Sequence, residues 1–225
     1  MTPPARGDAT PDIEVEDRAG VAVVWFNRPK VLNAFRLATF ARLTEVLDQL
    51  AEAPDQAAVV LTGRGRAFCA GEDLAEMNDA ARTGFALGEA LTDLNRLQAL
   101  TRRLVAYPKP VIAAINGPAV GLGAELPLAA DFRIASPDAY FLYPEARRGM
   151  LETNGTFRLL PDVVGLGRAT EWLLSARKVP VDEALRAGLV SEVVDPARLV
   201  DRAVAMARQA AGATAGDDSR PALKS

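Results

Sequence analysis

Two glutamates and two glycine turns are the features whose residue types and spacing could do chemistry. Glu125 lies in an otherwise apolar stretch from Val120 to Ala130, and Glu145 follows Tyr143-Pro144 twenty positions later. An ionised carboxylate in apolar surroundings is costly without partners. Burial and mutual repulsion would raise the pKa of such a pair toward neutrality and fit it for general acid and base work. Ion pairing of either glutamate with Arg133, Arg147 or Arg148 is the competing explanation. The turns are Phe68-Cys69-Ala70-Gly71-Glu72-Asp73-Leu74 and Asn116-Gly117-Pro118-Ala119-Val120-Gly121-Leu122-Gly123-Ala124-Glu125. Each follows an apolar run and opens a helical one. Unpaired N–H groups at a helix start attract negative charge, so either turn could bind a phosphate or stabilise an oxyanion. For the first, the plainer alternative is a strand–helix connection with Asp73 as N-cap. The second contains Gly-x-Gly, but Leu126 breaks the dinucleotide fingerprint and no Gly-Lys-Ser/Thr is present, which argues against nucleotide loops.

The composition narrows the chemistry further. None of the 225 residues is histidine, which excludes Ser-His-Asp triads, Cys-His pairs and His-ligated metals. Acid–base work near neutral pH must come from carboxylates, Lys, Tyr or the lone Cys69. Cys69 reads as a packing residue. With one cysteine no intrachain disulfide can form, and a reducing, cytoplasmic location is expected. The net charge of -3 gives no reason to expect a nucleic-acid partner. Lys30, Arg36, Arg64 and Arg66 flank the turns, where they either meet a phosphorylated ligand or stay solvated. No apolar run reaches ~18 residues, so no membrane span is expected. Met1–Asp12 lacks the apolar core of a secretory signal.

The elements that must position these groups alternate between strand and helix. Val21–Phe26, Ala58–Leu61 and Val111–Ile115 are apolar runs of strand length. Leu37, Phe40, Leu43, Leu47 and Leu50 recur at helical spacing, as do Leu91, Leu94, Leu97, Leu100 and Leu104. A short helix is expected to begin near Asp73, and Ala124–Ala130 reads as a buried helix. Phe132–Ala135, Tyr140–Leu142 and Leu189–Val194 read as strands. Arg168–Ser175, Val181–Ala187 and Pro196–Ala211 read as helices. Residues 1–12 read as a flexible tail, 13–195 as the core, and 196–225 as a C-terminal helical region with a loose end. This order predicts an α/β fold of stacked supersecondary units.

Four ordered motifs together resemble the enoyl-CoA hydratase/isomerase (crotonase) superfamily. They are Asn27-Arg-Pro-Lys-Val-Leu-Asn-Ala-Phe35, Thr62-Gly-Arg-Gly-Arg-Ala-Phe-Cys-Ala-Gly-Glu-Asp-Leu74, Ala114-Ile-Asn-Gly-Pro-Ala-Val-Gly-Leu-Gly-Ala-Glu-Leu126 and Tyr143-Pro-Glu-Ala-Arg-Arg-Gly149. The resemblance implies a crotonase-like spiral of ββα units with a shortened helical C-terminal region, assembled as a homo-oligomer of three or six subunits. It implies an acyl-CoA thioester as substrate, with coenzyme A part of that substrate and no separate cofactor or metal. The family's two oxyanion amides fall on the backbone N–H groups of Glu72 and Leu122, and its paired carboxylates on Glu125 and Glu145. CoA and substrate contacts fall on Lys30, Leu32, Ala34, Ala70, Asp73, Leu74 and Gly121. The implied activity is hydration of a 2-enoyl-CoA, with double-bond isomerisation or non-catalytic acyl-CoA binding as alternatives. The chain departs from the family at Met150-Leu-Glu-Thr-Asn-Gly-Thr-Phe157, where members carry a Pro-Gly-rich run. Thr153 and Asn154 replace small residues that line the acyl pocket, and Glu152 adds a charge, so a plain fatty acyl group need not be the substrate.

Overall fold

The computed structural model describes residues 11–73 and 87–214. The central sheet has six strands in the order β1-β2-β3-β4-β6-β9: Ile13–Asp17 (β1), Val21–Phe26 (β2), Ala58–Gly63 (β3), Val111–Ile115 (β4), Phe132–Ala135 (β6) and Glu192–Val193 (β9). β1 pairs antiparallel with β2, and every later pairing in this sheet is parallel. A second sheet pairs Ala119–Val120 (β5), Tyr140–Leu142 (β7) and Val179–Pro180 (β8).

The unbroken apolar runs of β2, β3 and β4 follow from burial on both faces, as parallel strands require. Successive side chains alternate between two apolar layers. Val21, Val23, Ala58, Val60, Ile112 and Ala114 pack with Leu199, Ala203 and Ala207 of the last helix, Leu199–Thr214 (α7). Ala22, Val24, Phe26, Val59, Leu61, Ala113 and Ile115 face the larger layer. That layer is built with Leu37–Glu52 (α1) and Leu87–Val105 (α2). The remaining helices are Leu122–Glu125 (α3), Thr156–Val164 (α4), Leu166–Ser175 (α5) and Val181–Arg186 (α6).

Several expectations need correction. The expected helix over Ala124–Ala130 is instead one α turn at Leu122–Glu125 that tightens to a 3-10 turn at Leu126–Ala129. Pro127 has no N–H to continue an α ladder, which favours that change. The Leu189–Val194 run yields only a two-residue strand, because Leu189 and Val190 are buried by packing beyond the sheet. The last helix starts at Leu199, three residues after Pro196, and continues through Thr214. Asp12 is no loose tail residue: its carboxylate accepts bonds from Arg36 Nε (2.7 Å) and Thr39 Oγ1 (2.6 Å), which anchor the start of α1. The helix expected near Asp73 lies outside the described residues, as does Leu74.

Candidate active site

The segment after β3 is held in place by two asparagines. Asn33 is buried and donates to the carbonyls of Arg64 (2.9 Å) and Ala67 (2.8 Å). Asn116, just after β4, donates to Gly65 (3.0 Å) and Ala67 (3.2 Å) and accepts from the Gly63 N–H. The chain then runs alongside two neighbours. Cys69 bridges Ala119 of β5, and Glu72 bridges Phe35, both in parallel register. In the second bridge Phe35 N–H donates to the Gly71 carbonyl and Asp73 N–H donates to the Phe35 carbonyl, each at 2.8 Å. The Glu72 N–H therefore points to the opposite side of the segment, as alternation along an extended chain dictates.

Leu122 opens α3, so its N–H has no acceptor within the helix. The chain reaches it through Gly121, whose N–H donates to the Leu142 carbonyl of β7. Its carbonyl accepts from the N–H groups of Ala124 and Glu125. Gly71 brings the two turns together. It adopts φ +97, and a methyl group on it would lie 2.9 Å from the Val120 carbonyl oxygen and 3.8 Å from the Leu122 nitrogen. The space a side chain would fill at Gly71 is thus the space before the Leu122 amide. Among the described residues neither the Glu72 nor the Leu122 N–H has a protein acceptor, and unpaired amides of this kind can hold developing negative charge.

Glu125 ends α3 and is 2% exposed. The alternative of an ion pair with Arg133 does not hold, because that guanidinium donates to the carbonyls of Leu189, Pro127 and Ala130. Glu125 instead accepts from Asn154 Nδ2 on Oε2 (2.6 Å) and from Thr156 Oγ1 on Oε1 (2.9 Å). Burial, the larger effect, pushes its carboxyl up to about 7 against the pull of these donors. Glu145 heads the 3-10 turn Glu145–Arg148. Its Oε1 would lie 3.0 Å from a methyl group on Gly121, which places this carboxyl beside the second turn. Its Oε2 is buried with no partner among the described residues. Burial, with the charges of Glu125, Glu152 and Glu72, also raises Glu145 to about 7. Neither Arg147 nor Arg148, both exposed, pairs with it among the described residues. Burial is the main cause at both carboxyls, and the charge of Glu125 adds to the rise at Glu145.

The segments expected to contact CoA also converge. Ala70 N–H donates to the Leu32 carbonyl at 2.9 Å. Arg28 ties this pair of segments together through the Ala34 carbonyl (2.6 Å) and the Asp73 carboxylate (2.9 Å). Lys30 and Arg66 stand exposed beside them with no ion pair among the described residues. Arg64 and Arg36 are committed elsewhere, to Glu14 and Asp12. Cys69 is fully buried and its thiol is pushed up to about 12 by that burial, so it packs rather than attacks. The residues that sequence reasoning missed as partners of Glu125 are Asn154 and Thr156. They stood out only as departures in the 150–157 loop.

Residues 16–218 match the family model described as Enoyl-CoA hydratase/isomerase. A short-chain-enoyl-CoA hydratase from Clostridium acetobutylicum is 37% identical over 203 residues, which cover 88% of this chain and 74% of that protein. A 1,2-epoxyphenylacetyl-CoA isomerase from Escherichia coli is 38% identical over 192 residues, covering 85% of this chain and 73% of that one. The crystal structure of an enoyl-CoA hydratase from Bacillus anthracis superposes with a TM-score of 0.85 at 33% identity, over 95% of this chain and 81% of that one. No helix among the described residues is long and apolar enough to cross a membrane.

Proposed function

Because the chain belongs to the enoyl-CoA hydratase/isomerase family and has the crotonase fold, we propose that it adds water across the double bond of a 2-enoyl-CoA thioester, or removes it. The observation that carries this reading is Glu145 Oε1 seated beside Gly121, at the head of the short helix that carries Glu125. The Glu145 carboxyl thus lies beside the turn that presents the Leu122 amide.

The chemistry follows from the geometry. The thioester oxygen sits between the Glu72 and Leu122 N–H groups, which hold the charge it gains as an enolate. Glu125 is the carboxyl with two donors on its charged form, so it is the ionised partner. It takes a proton from water as the water oxygen bonds to the β-carbon. Glu145 has only its own backbone N–H as donor and no side-chain donor, so it is the protonated partner, and it delivers its proton to the α-carbon as the enolate collapses. Transfer of the proton from Glu125 to Glu145 restores the pair. Lys30 and Arg66, exposed beside the paired 28–35 and 69–73 segments, suit the phosphates of CoA.

The experiment is loss of the enoyl chromophore of crotonyl-CoA with the purified protein. Turnover is expected to fall ~10²–10⁴-fold in Glu125→Gln and Glu145→Gln. Full activity in either variant would remove that residue from the mechanism. Double-bond isomerisation is the second reading, favoured by the similarity to the Escherichia coli isomerase. Conversion of a 3-enoyl-CoA without hydration of crotonyl-CoA would select it. Assembly into trimers or pairs of trimers is part of the proposal. It rests on the resemblance and on Leu151, Leu166 and Leu174, each more than 70% exposed, and mass measured by light scattering checks it.

A further inference from the structure

The loop at 150–155 carries two side-chain oxygens, one of Glu152 and one of Asn154, that neither the fold nor the proposed hydration uses. Glu152 is 7% exposed and Asn154 is 2% exposed. Glu152 Oε1, Asn154 Oδ1 and Glu145 Oε2 are all buried without a hydrogen-bond partner among the described residues. Buried polar atoms are normally satisfied, so three orphans associated with one site need an explanation. Glu145 is accounted for as the acid of the hydration step; Asn154 Oδ1 is an acceptor, and so is Glu152 Oε1 when ionised. The orientation of the Asn154 amide is settled by its bond to Glu125, because the reverse orientation would set oxygen against carboxylate at 2.6 Å. Its Oδ1 can therefore only accept.

The location is also defined. The Asn154 amide touches Glu125, and the loop is pinned to α2 by Gln98 Nε2, which donates to the Thr153 carbonyl at 3.1 Å. Glu152 is buried two positions before Asn154 in the same pinned loop, and its charge adds to the rise at both Glu125 and Glu145. Among the described residues no cationic side chain forms an ion pair with Glu72, Glu125, Glu145 or Glu152. The same acidic groups do not form a metal site: no cluster of suitable ligands occurs among the described residues.

We propose that Glu152 and Asn154 form a polar subsite beside Glu125, selecting thioesters whose acyl chain carries a hydrogen-bond donor, a hydroxyl or an amino group. The proposal rests on the acyl-CoA reading above. A saturated hydrocarbon chain would leave the acceptors of Glu152 and Asn154 unpaired. A site built to pair with a substrate O–H or N–H rejects the analogue that lacks it much more strongly than an apolar pocket rejects a hydroxyl. An amino group would in addition meet the uncompensated carboxylates.

The test compares 2-pentenoyl-CoA with 5-hydroxy-2-pentenoyl-CoA and 5-amino-2-pentenoyl-CoA. The wild-type protein is expected to favour the donor-bearing substrates in kcat/KM by about tenfold or more. Glu152→Leu is expected to erase or reverse that preference. Glu152→Gln, which keeps an acceptor, is expected to retain the hydroxyl preference and lose part of the amino preference. Calorimetric binding of pentanoyl-CoA and 5-hydroxypentanoyl-CoA provides the same comparison without turnover. Selective binding without hydration would leave the subsite standing and sink the hydratase reading. Equal handling of the methyl and hydroxyl compounds in both assays, binding of neither, or an unchanged ratio in a folded Glu152→Leu protein would overturn the subsite.

Discussion

Replacing Gly71 with alanine tests the oxyanion geometry at one methyl group. Two effects follow from the backbone. At φ +97 an L side chain is strained, at about 1–3 kcal/mol. The added methyl would also stand 2.9 Å from the Val120 carbonyl oxygen, closer than such contacts tolerate, with backbone on both sides and no flexible side chain to move aside. Relief must come from separating the two turns, and that moves the Leu122 amide, whose nitrogen is 3.8 Å from the same methyl position. A chain with ordinary stability of roughly 5–15 kcal/mol remains folded after a loss of this size. Catalysis does not tolerate it as well. Loss of one oxyanion donor costs ~10²–10³ in rate. The expected result is a kcat for crotonyl-CoA lowered by about a hundredfold or more, with a modestly lowered melting temperature and intact circular dichroism. Near-normal kcat with a lowered melting temperature would refute the assignment, since it would show the turns close for packing alone.

Two further outcomes follow from the environment of Glu125. Its carboxyl is raised from 4.5 to about 7 by burial, so the native state holds this proton more tightly than the unfolded chain. The group therefore lowers stability as pH rises through that interval, by at most about 3 kcal/mol once fully ionised. A glutamine at 125 keeps both bonds, accepting from Asn154 and donating to Thr156. Melting curves should show Glu125→Gln more stable than wild type at pH 8, with the difference gone by about pH 4, below the pKa of the unfolded carboxyl. Wild type more stable at pH 8 would contradict the buried-carboxyl account. Asn154→Ala removes the shorter of the two donors, so the Glu125 pKa rises by roughly a unit or more and the activity limb that requires its ionised form moves to higher pH. A pH–rate profile identical to wild type would show that Asn154 does not position this group.

The sequence carried the central strands and the turns because their causes are local. β2 and β4 are continuous apolar runs, which only a strand buried on both faces explains. The turns needed Gly71, Gly121 and Gly123 at fixed offsets from those strands. What was missed has non-local causes. β1 reads Ile-Glu-Val-Glu-Asp, and its pairing with β2 depends on Ile13 reaching the core while its acids face outward. Helix α4 has Gly155 as its N-cap and Pro161 inside it, so its sequence reads as broken although Thr156, Leu160 and Val164 face inward. β5 and β8 are two residues each and depend on pairing with β7, and β5 also on its bridge to Cys69. The clamp on Glu125 was invisible for the same reason. Asn154 and Thr156 lie 29 and 31 positions away, and only the packing of the 150–157 loop against α3 gives them that role.

The central claim is that Glu125 and Glu145 share one proton beside a paired amide site and divide the steps of hydration. The pH dependence of kcat/KM for crotonyl-CoA tests it most directly, in wild type and in Glu145→Gln. The expected wild-type profile is a bell with its maximum close to pH 7, set by two carboxyls each raised to about 7. The alkaline fall, which reports loss of the Glu145 proton, is expected to disappear from the residual activity of Glu145→Gln. A profile without an alkaline limb in wild type, or an alkaline limb unchanged in Glu145→Gln, would contradict it.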